Sequence, residues 1–97
     1  NLSVKMARNY TMGRNFTANI TPGSEGIGQY IWFYDINNQY IIYENLYWKG
    51  CRDSYCYAPV NISLPISSPM FKPGQYKMMI RDNNVNNYTY FYFNVSN

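Results

Sequence analysis

Ninety-seven residues, 46% of them apolar and 20% aromatic, can bury a single core and leave no length for a second, so residues 1–97 read as one domain. Only 13% are charged, and the formal charge of +3 comes from eight Lys and Arg scattered singly between Lys5 and Arg81, which excludes a basic nucleic-acid footprint. No apolar stretch approaches the about 18 residues of a membrane-spanning helix, and a start at Asn1 rather than Met predicts a processed piece of a longer precursor.

In chain order, Leu2, Val4 and Met6 alternate with Ser3 and Lys5 and predict a short first strand, continued weakly by Tyr10 and Met12. Phe16, Ala18 and Ile20 mark the inward face of the next strand, which closes at the loop Thr21-Pro22-Gly23-Ser24-Glu25-Gly26. Gln29 to Asp35 is the most β-prone run, and its near-continuous hydrophobicity predicts a central strand. Asn37-Asn38 is a turn and Tyr40 to Tyr43 the strand returning from it. Residues 44–59 read as an irregular excursion holding Trp48 and both cysteines. Val60, Ile62, Leu64 and Ile66 then alternate cleanly, with Pro65 outward and suited to an edge.

The last quarter is a hairpin. Pro73-Gly74 marks a turn, after which Tyr76, Met78 and Ile80 share one face, and Phe91, Phe93 and Val95 share one face of the following strand across the Asn-rich turn 82–87. Two strands bury too little to stand alone, so the remaining strands must supply a second sheet. The expected fold class is all-β: a two-sheet antiparallel sandwich of seven or eight strands.

Sequons are in large excess. Asn-x-Ser/Thr occurs at Asn1, Asn9, Asn15, Asn19, Asn61, Asn87 and Asn94, with Pro22 weakening the Asn19 site. Fourteen asparagines and eleven Ser or Thr in 97 positions would give about 1.6 by chance. Covalent N-glycans on a secreted or cell-surface protein are therefore expected, and they would keep a low-charge chain soluble. Cys51 and Cys56, the only cysteines, are expected to close a disulfide around a tight turn. Zinc would need four ligands, and the chain has no histidine. That absence also removes the usual general base and every Ser-His or Cys-His dyad, while Glu25, Asp35, Glu44, Asp53 and Asp82 lie in separate loops or strand ends. No enzyme, metal or cofactor is expected. Tyr88, Tyr90 and Tyr92 share one face of the last strand, and with Tyr47 and Trp48 they predict an outward contact surface.

Trp32 and Pro73-Gly74-Gln75-Tyr76 resemble the core tryptophan and the tyrosine corner of the immunoglobulin-like superfamily, over most of the chain. The resemblance implies an immunoglobulin-like sandwich with Tyr76 at the corner. It also implies Trp32 at the centre, packed on Ala18 and Met78 where antibody domains place an inter-sheet disulfide, beside Phe91 and Phe93.

The expected function is a non-enzymatic, extracellular, N-glycosylated structural or adhesive subunit that self-associates into a surface assembly or filament. Its segment 1–12, through Leu2, Val4 and Met6, is expected to complete a neighbour's sheet by strand addition. The competing expectation is a receptor-binding ectodomain of a viral or cell-surface membrane glycoprotein. In both, the partner is a protein, no nucleic acid takes part and this chain holds no membrane span; the competing reading expects a membrane anchor further along the precursor.

Overall fold

The computed structural model describes residues 1–47 and 50–97. Among them are ten strands and no helix: β1 (Ser3–Met6), β2 (Asn9–Thr11), β3 (Asn15–Thr21), β4 (Ile27–Asp35), β5 (Tyr40–Asn45), β6 (Cys51–Arg52), β7 (Tyr55–Cys56), β8 (Val60–Pro65), β9 (Gly74–Asp82) and β10 (Asn87–Ser96). A small sheet runs in the order β1-β3-β8. A large one runs β2-β10-β9-β4-β7-β6, with β5 also on β4. Every pairing is antiparallel except β2 with β10. The all-β, two-sheet expectation holds. The strand count is higher than expected for two reasons. The first strand is cut in two as the chain crosses between sheets, and the cysteine excursion contains a hairpin of its own.

The alternating residues of the last quarter do what their period dictates. Tyr76, Met78 and Ile80 point inward from β9, and Phe93 and Val95 from β10, along a register that runs unbroken from Asn87↔Asp82 to Val95↔Gly74. From the small sheet Phe16, Ala18, Ile20, Val60, Ile62 and Leu64 meet them. Phe91 sits at the margin of this core, half-buried.

Trp32 is not at the centre. Ile31 and Phe33, with Ile27 at the strand's start, are the buried residues of β4, and the first two lie opposite Ile80 and Met78 of β9. The central ring is Phe16, whose centroid lies 5.2 Å from Phe33, 4.8 Å from Phe93 and 4.9 Å from Tyr10. The sense of this reversal is chemical. Phe needs no hydrogen-bond partner when buried, whereas an indole N–H does, and an outward position lets Trp32 keep its polar edge near water.

Two buried tyrosines pin loops to the core. The Lys72 N–H donates to Tyr76 Oη at 3.0 Å and the Tyr76 hydroxyl donates back to the Lys72 carbonyl at 2.7 Å. Tyr10 does the same at the crossing between sheets, accepting from the Ala7 N–H at 3.0 Å and donating to the Thr17 carbonyl at 2.7 Å. Burial raises the Tyr10 pKa above the ordinary phenol value and outweighs its backbone hydrogen bonds.

Leu2, Val4 and Met6 are half-buried against the core of their own chain, and β1 is paired with β3 from Ser3↔Thr21 to Met6↔Ala18. The segment expected to be exchanged between subunits is therefore engaged within its own chain. An exchange would first have to strip β3 of a neighbour.

Candidate functional site

The outer face of the large sheet is where unusual chemistry collects. Its side chains alternate away from the core, so the outward residues of β4 are Tyr30, Trp32 and Tyr34. Across the strands they align in rows: Tyr43 of β5, Trp32, Met79 of β9 and Tyr90 of β10 in one, and Tyr40, Tyr34, Lys77 and Tyr92 in the next. On the β4–β5 side the rings touch. Centroids lie 5.4 Å apart for Trp32 and Tyr43, 5.5 Å for Tyr30 and Tyr43, 5.9 Å for Tyr30 and Trp32, and 6.2 Å for Tyr34 and Tyr40.

On the β9–β10 side the rings are held by cations. The Lys77 ammonium lies 4.9 Å from the Tyr90 ring centroid and the Arg81 guanidinium 5.5 Å from that of Tyr88. Each such contact contributes about 0.5–1 kcal/mol at an exposed site. Both cations are also tied to turn asparagines, Lys77 to Asn38 and Arg81 to Asn86, so they brace the rings with little freedom to swing away. Even so, Tyr40 and Tyr92 remain 51% and 58% exposed, a large outlay of aromatic surface to water.

Of the residues expected to form the contact surface, Tyr88, Tyr90 and Tyr92 lie on this face. Tyr47 follows β5, exposed, its N–H donating to Asn45 Oδ1 at 3.0 Å. Trp48 lies outside the described residues. Sequence reasoning missed Tyr30, Trp32 and Tyr34 because it placed Trp32 inside. The signal was present, since within Gln29 to Asp35 every even-numbered residue is an aromatic with a polar handle, while Ile31 and Phe33 have none.

The small sheet presents the opposite chemistry. Its outward residues are Ser3, Lys5, Asn15, Thr17, Asn19, Thr21, Asn61, Ser63 and Pro65, with no ring among them that is aromatic. Three sequon asparagines, Asn15, Asn19 and Asn61, lie here. Asn19 and Asn61 are direct cross-strand neighbours joined by an Nδ2–H···Oδ1 bond of 2.6 Å. Asn9 and Asn94 form a second such pair between β2 and β10, joined at 3.2 Å, while Asn87 opens β10 and Asn1 lies at the chain start.

Cys51 and Cys56 are disulfide-bonded, with Cα atoms 4.0 Å apart, as cross-strand partners in β6 and β7. Asp53 and Ser54 at the tip both have positive φ, the backbone of a two-residue hairpin turn. The Cys56 end is fully buried, and its backbone passes close to Gly26. Gly26 has a φ of +77°, and a Cβ at that position would come within 2.9 Å of the Cys56 carbonyl oxygen, so only glycine fits. No helix of the described residues is long and apolar enough to cross a membrane, and no group of three or more His, Cys, Asp or Glu among them could hold a metal ion.

Comparison with known proteins adds one fold relationship. No family model matches the sequence, and no curated protein does. A solved structure of a superoxide reductase (neelaredoxin) from Ignicoccus hospitalis is similar to this chain, with a TM-score of 0.55 and 11% identity, over 97% of this chain and 79% of that one. The likeness concerns the fold. It corrects the immunoglobulin-like assignment, as does the outward position of Trp32, the residue on which that resemblance leaned. It also removes the expectation of a non-enzymatic chain, because a protein with this fold is an enzyme.

Proposed function

We propose that this protein is an extracellular, N-glycosylated structural or adhesive subunit of a surface assembly, and that it meets neighbouring copies through the aromatic outer face of the large sheet. The observation that carries the reading is the contrast between the two outer faces: aromatic rings crowd the large sheet, whereas the small sheet shows none and presents hydroxyls and three of the seven sequon asparagines. Tyr and Trp supply broad amphipathic contact area at low entropic cost. The disulfide suits an oxidising compartment, where the sequons could be occupied.

The activity named for the structural neighbour finds no matching residues here. Reducing superoxide is a one-electron step that calls for a redox group. This chain has no histidine, both its cysteines are disulfide-bonded, and no group of three candidate ligands comes together among the described residues.

The test is homotypic adhesion. Beads coated with the protein are expected to clump, and a chain carrying both Trp32→Ser and Tyr43→Ser to clump at least about 10-fold less, since central aromatics dominate such contacts. Asn15→Gln with Asn61→Gln, on the other sheet, leaves clumping unchanged. Beads that stay dispersed, or that clump equally well with the aromatic pair removed, overturn the reading.

A further inference from the structure

The edge of β10 is left open over most of its length. β2 covers it only from Asn94 to Ser96, so residues 87–93 pair with β9 on one side and with no described strand on the other. Parity says which backbone groups face out. The Asn94 N–H points across to the Arg8 carbonyl at 2.7 Å, and the Ser96 carbonyl accepts from the Met12 N–H at 2.8 Å. Even-numbered residues of β10 therefore aim their peptide groups at the open edge. Those residues are Tyr88, Tyr90 and Tyr92.

Other edges of the two sheets are blunted in ways that discourage pairing. β1 is four residues long and carries Lys5, β8 ends on Pro65, β6 has two residues, and β5 lies beside a register shift at Phe33/Tyr34. β10 from Tyr88 to Phe93 has no charge, no proline and no break in register, and the Asn87 sequon stands at its start, three residues from Tyr90. A cleft of about 510 Å³ runs alongside it, between Met6, Ala7 and Arg8 and the stretch from Tyr90 to Asn94, and it leaves Phe91 half-buried.

We infer that this edge pairs with the same edge of a second copy, antiparallel, about a two-fold axis at Tyr90. The occupant is argued from the strand itself. Tyr88-Thr89-Tyr90-Phe91-Tyr92 reads nearly the same in both directions about its centre, which suits the self-complementarity of an isologous contact. In that register Tyr90 exchanges peptide hydrogen bonds with Tyr90 of the second copy, and the Tyr92 N–H reaches the Tyr88 carbonyl opposite. Tyr88 stacks beside Tyr92 across the axis on the outer face, and Phe91 meets Thr89 over the cleft, the kind of cross-strand pairs that stabilise sheets. Arg8, near Asn94, stands about 13 Å along the strand from the axis, so the two copies' arginines stay apart. The two large sheets become one, and their aromatic faces become continuous.

This contact is separate from the face-to-face adhesion proposed above, and the experiment tells them apart. Sedimentation velocity of the full chain between about 1 and 100 µM is expected to show a dimer that dissociates on dilution. Tyr90→Lys sets like charges together at the axis and is expected to weaken the dimer at least about 10-fold, with circular dichroism unchanged. Mixing Tyr90→Lys with Tyr90→Glu is expected to restore a dimer made of one chain of each kind, which a misfolded variant could not do. Trp32→Ser, on the face but away from the edge, leaves the dimer as it is. A wild-type chain that is monomeric throughout, a Tyr90→Lys chain that dimerises as well as wild type, or mixed charge variants that stay monomeric overturns the inference.

Discussion

The two sheets share one core and differ in almost everything they show to solvent. Beneath the surface both are lined by the same kinds of residue, Phe16 and Ile62 on one side and Phe33 and Met78 on the other. Outside, the small sheet has Asn, Thr and Ser at the very positions where the large sheet has Tyr, Trp, Met and the stems of Lys77 and Arg81. Stability asks only that the inward faces be apolar, so the outward faces are free to differ, and an exposed aromatic face is the one that folding alone does not explain.

That contrast is sharpest within β4, where adjacent residues belong to different worlds. Phe33→Ala should destabilise by about 3–5 kcal/mol, because it opens a cavity against Phe16 and Phe93. Trp32→Ala, one residue away, should cost under about 1 kcal/mol. Urea unfolding followed by circular dichroism measures both, and equal losses would put Trp32 back inside.

Next in size is the disulfide. Replacing Cys51 and Cys56 by Ser should remove about 2 kcal/mol, as expected for so short a loop, and should disturb the large sheet at Ile27 and Gly28 while leaving the small sheet's amide exchange unaltered. A change in both sheets would deny the hairpin its local role.

Tyr10 joins the two sheets, and removing its hydroxyl leaves the Ala7 N–H and Thr17 carbonyl without their partner. Tyr10→Phe should cost about 1–2 kcal/mol at neutral pH. Its pH dependence has a definite sign. The folded state raises the phenol pKa, so the neutral form is favoured there, and the stability it contributes is complete below about pH 10 and lost as pH rises through the higher folded value. Denaturation midpoints measured from neutral to strongly alkaline pH should therefore converge for wild type and Tyr10→Phe. Curves that stay parallel would contradict the assignment.

Smallest of all is the effect expected on the polar face. Asn61→Gln breaks the Nδ2–H···Oδ1 bond from Asn19 at the surface and should shift stability by less than about 0.5 kcal/mol, read from the same urea curves. If it costs as much as Tyr10→Phe, the outer face of the small sheet is contributing to folding after all.

How much of this was legible beforehand depended on whether a strand's two faces differ in polarity. Val60, Ile62 and Leu64 alternate with Asn61, Ser63 and Pro65, and their inward and outward sides could be read directly. The same holds for β9, where Pro73-Gly74 also announced the start. In Tyr30-Ile31-Trp32-Phe33-Tyr34 both faces are apolar by composition, so hydrophobicity alone could not say which faced the core. The immunoglobulin-like resemblance pointed to Trp32, whereas the indole N–H and its need for a partner decided against it. The outward residues of β10 were legible where those of β4 were not, since Asn94 lies on the parity of Tyr88, Tyr90 and Tyr92 and marks it as outward. Where β1 pairs was not written locally at all, because an alternating apolar strand fits its own β3 as well as a neighbour's sheet. The small hairpin of β6 and β7 escaped because two-residue strands carry no period.

The parallel pairing of β2 with β10 has a mechanical consequence. The two strands run side by side near opposite ends of the chain, clasped by the Asn94 N–H on the Arg8 carbonyl and the Met12 N–H on the Ser96 carbonyl. A pull that draws the ends of the polypeptide in opposite directions loads this clasp along the strand axes. Its bonds must then yield together by sliding rather than open one after another like a zipper. Tension on the two chain ends would be borne by this clasp in shear, together with the pairing of β1 to β3 that precedes it along the chain.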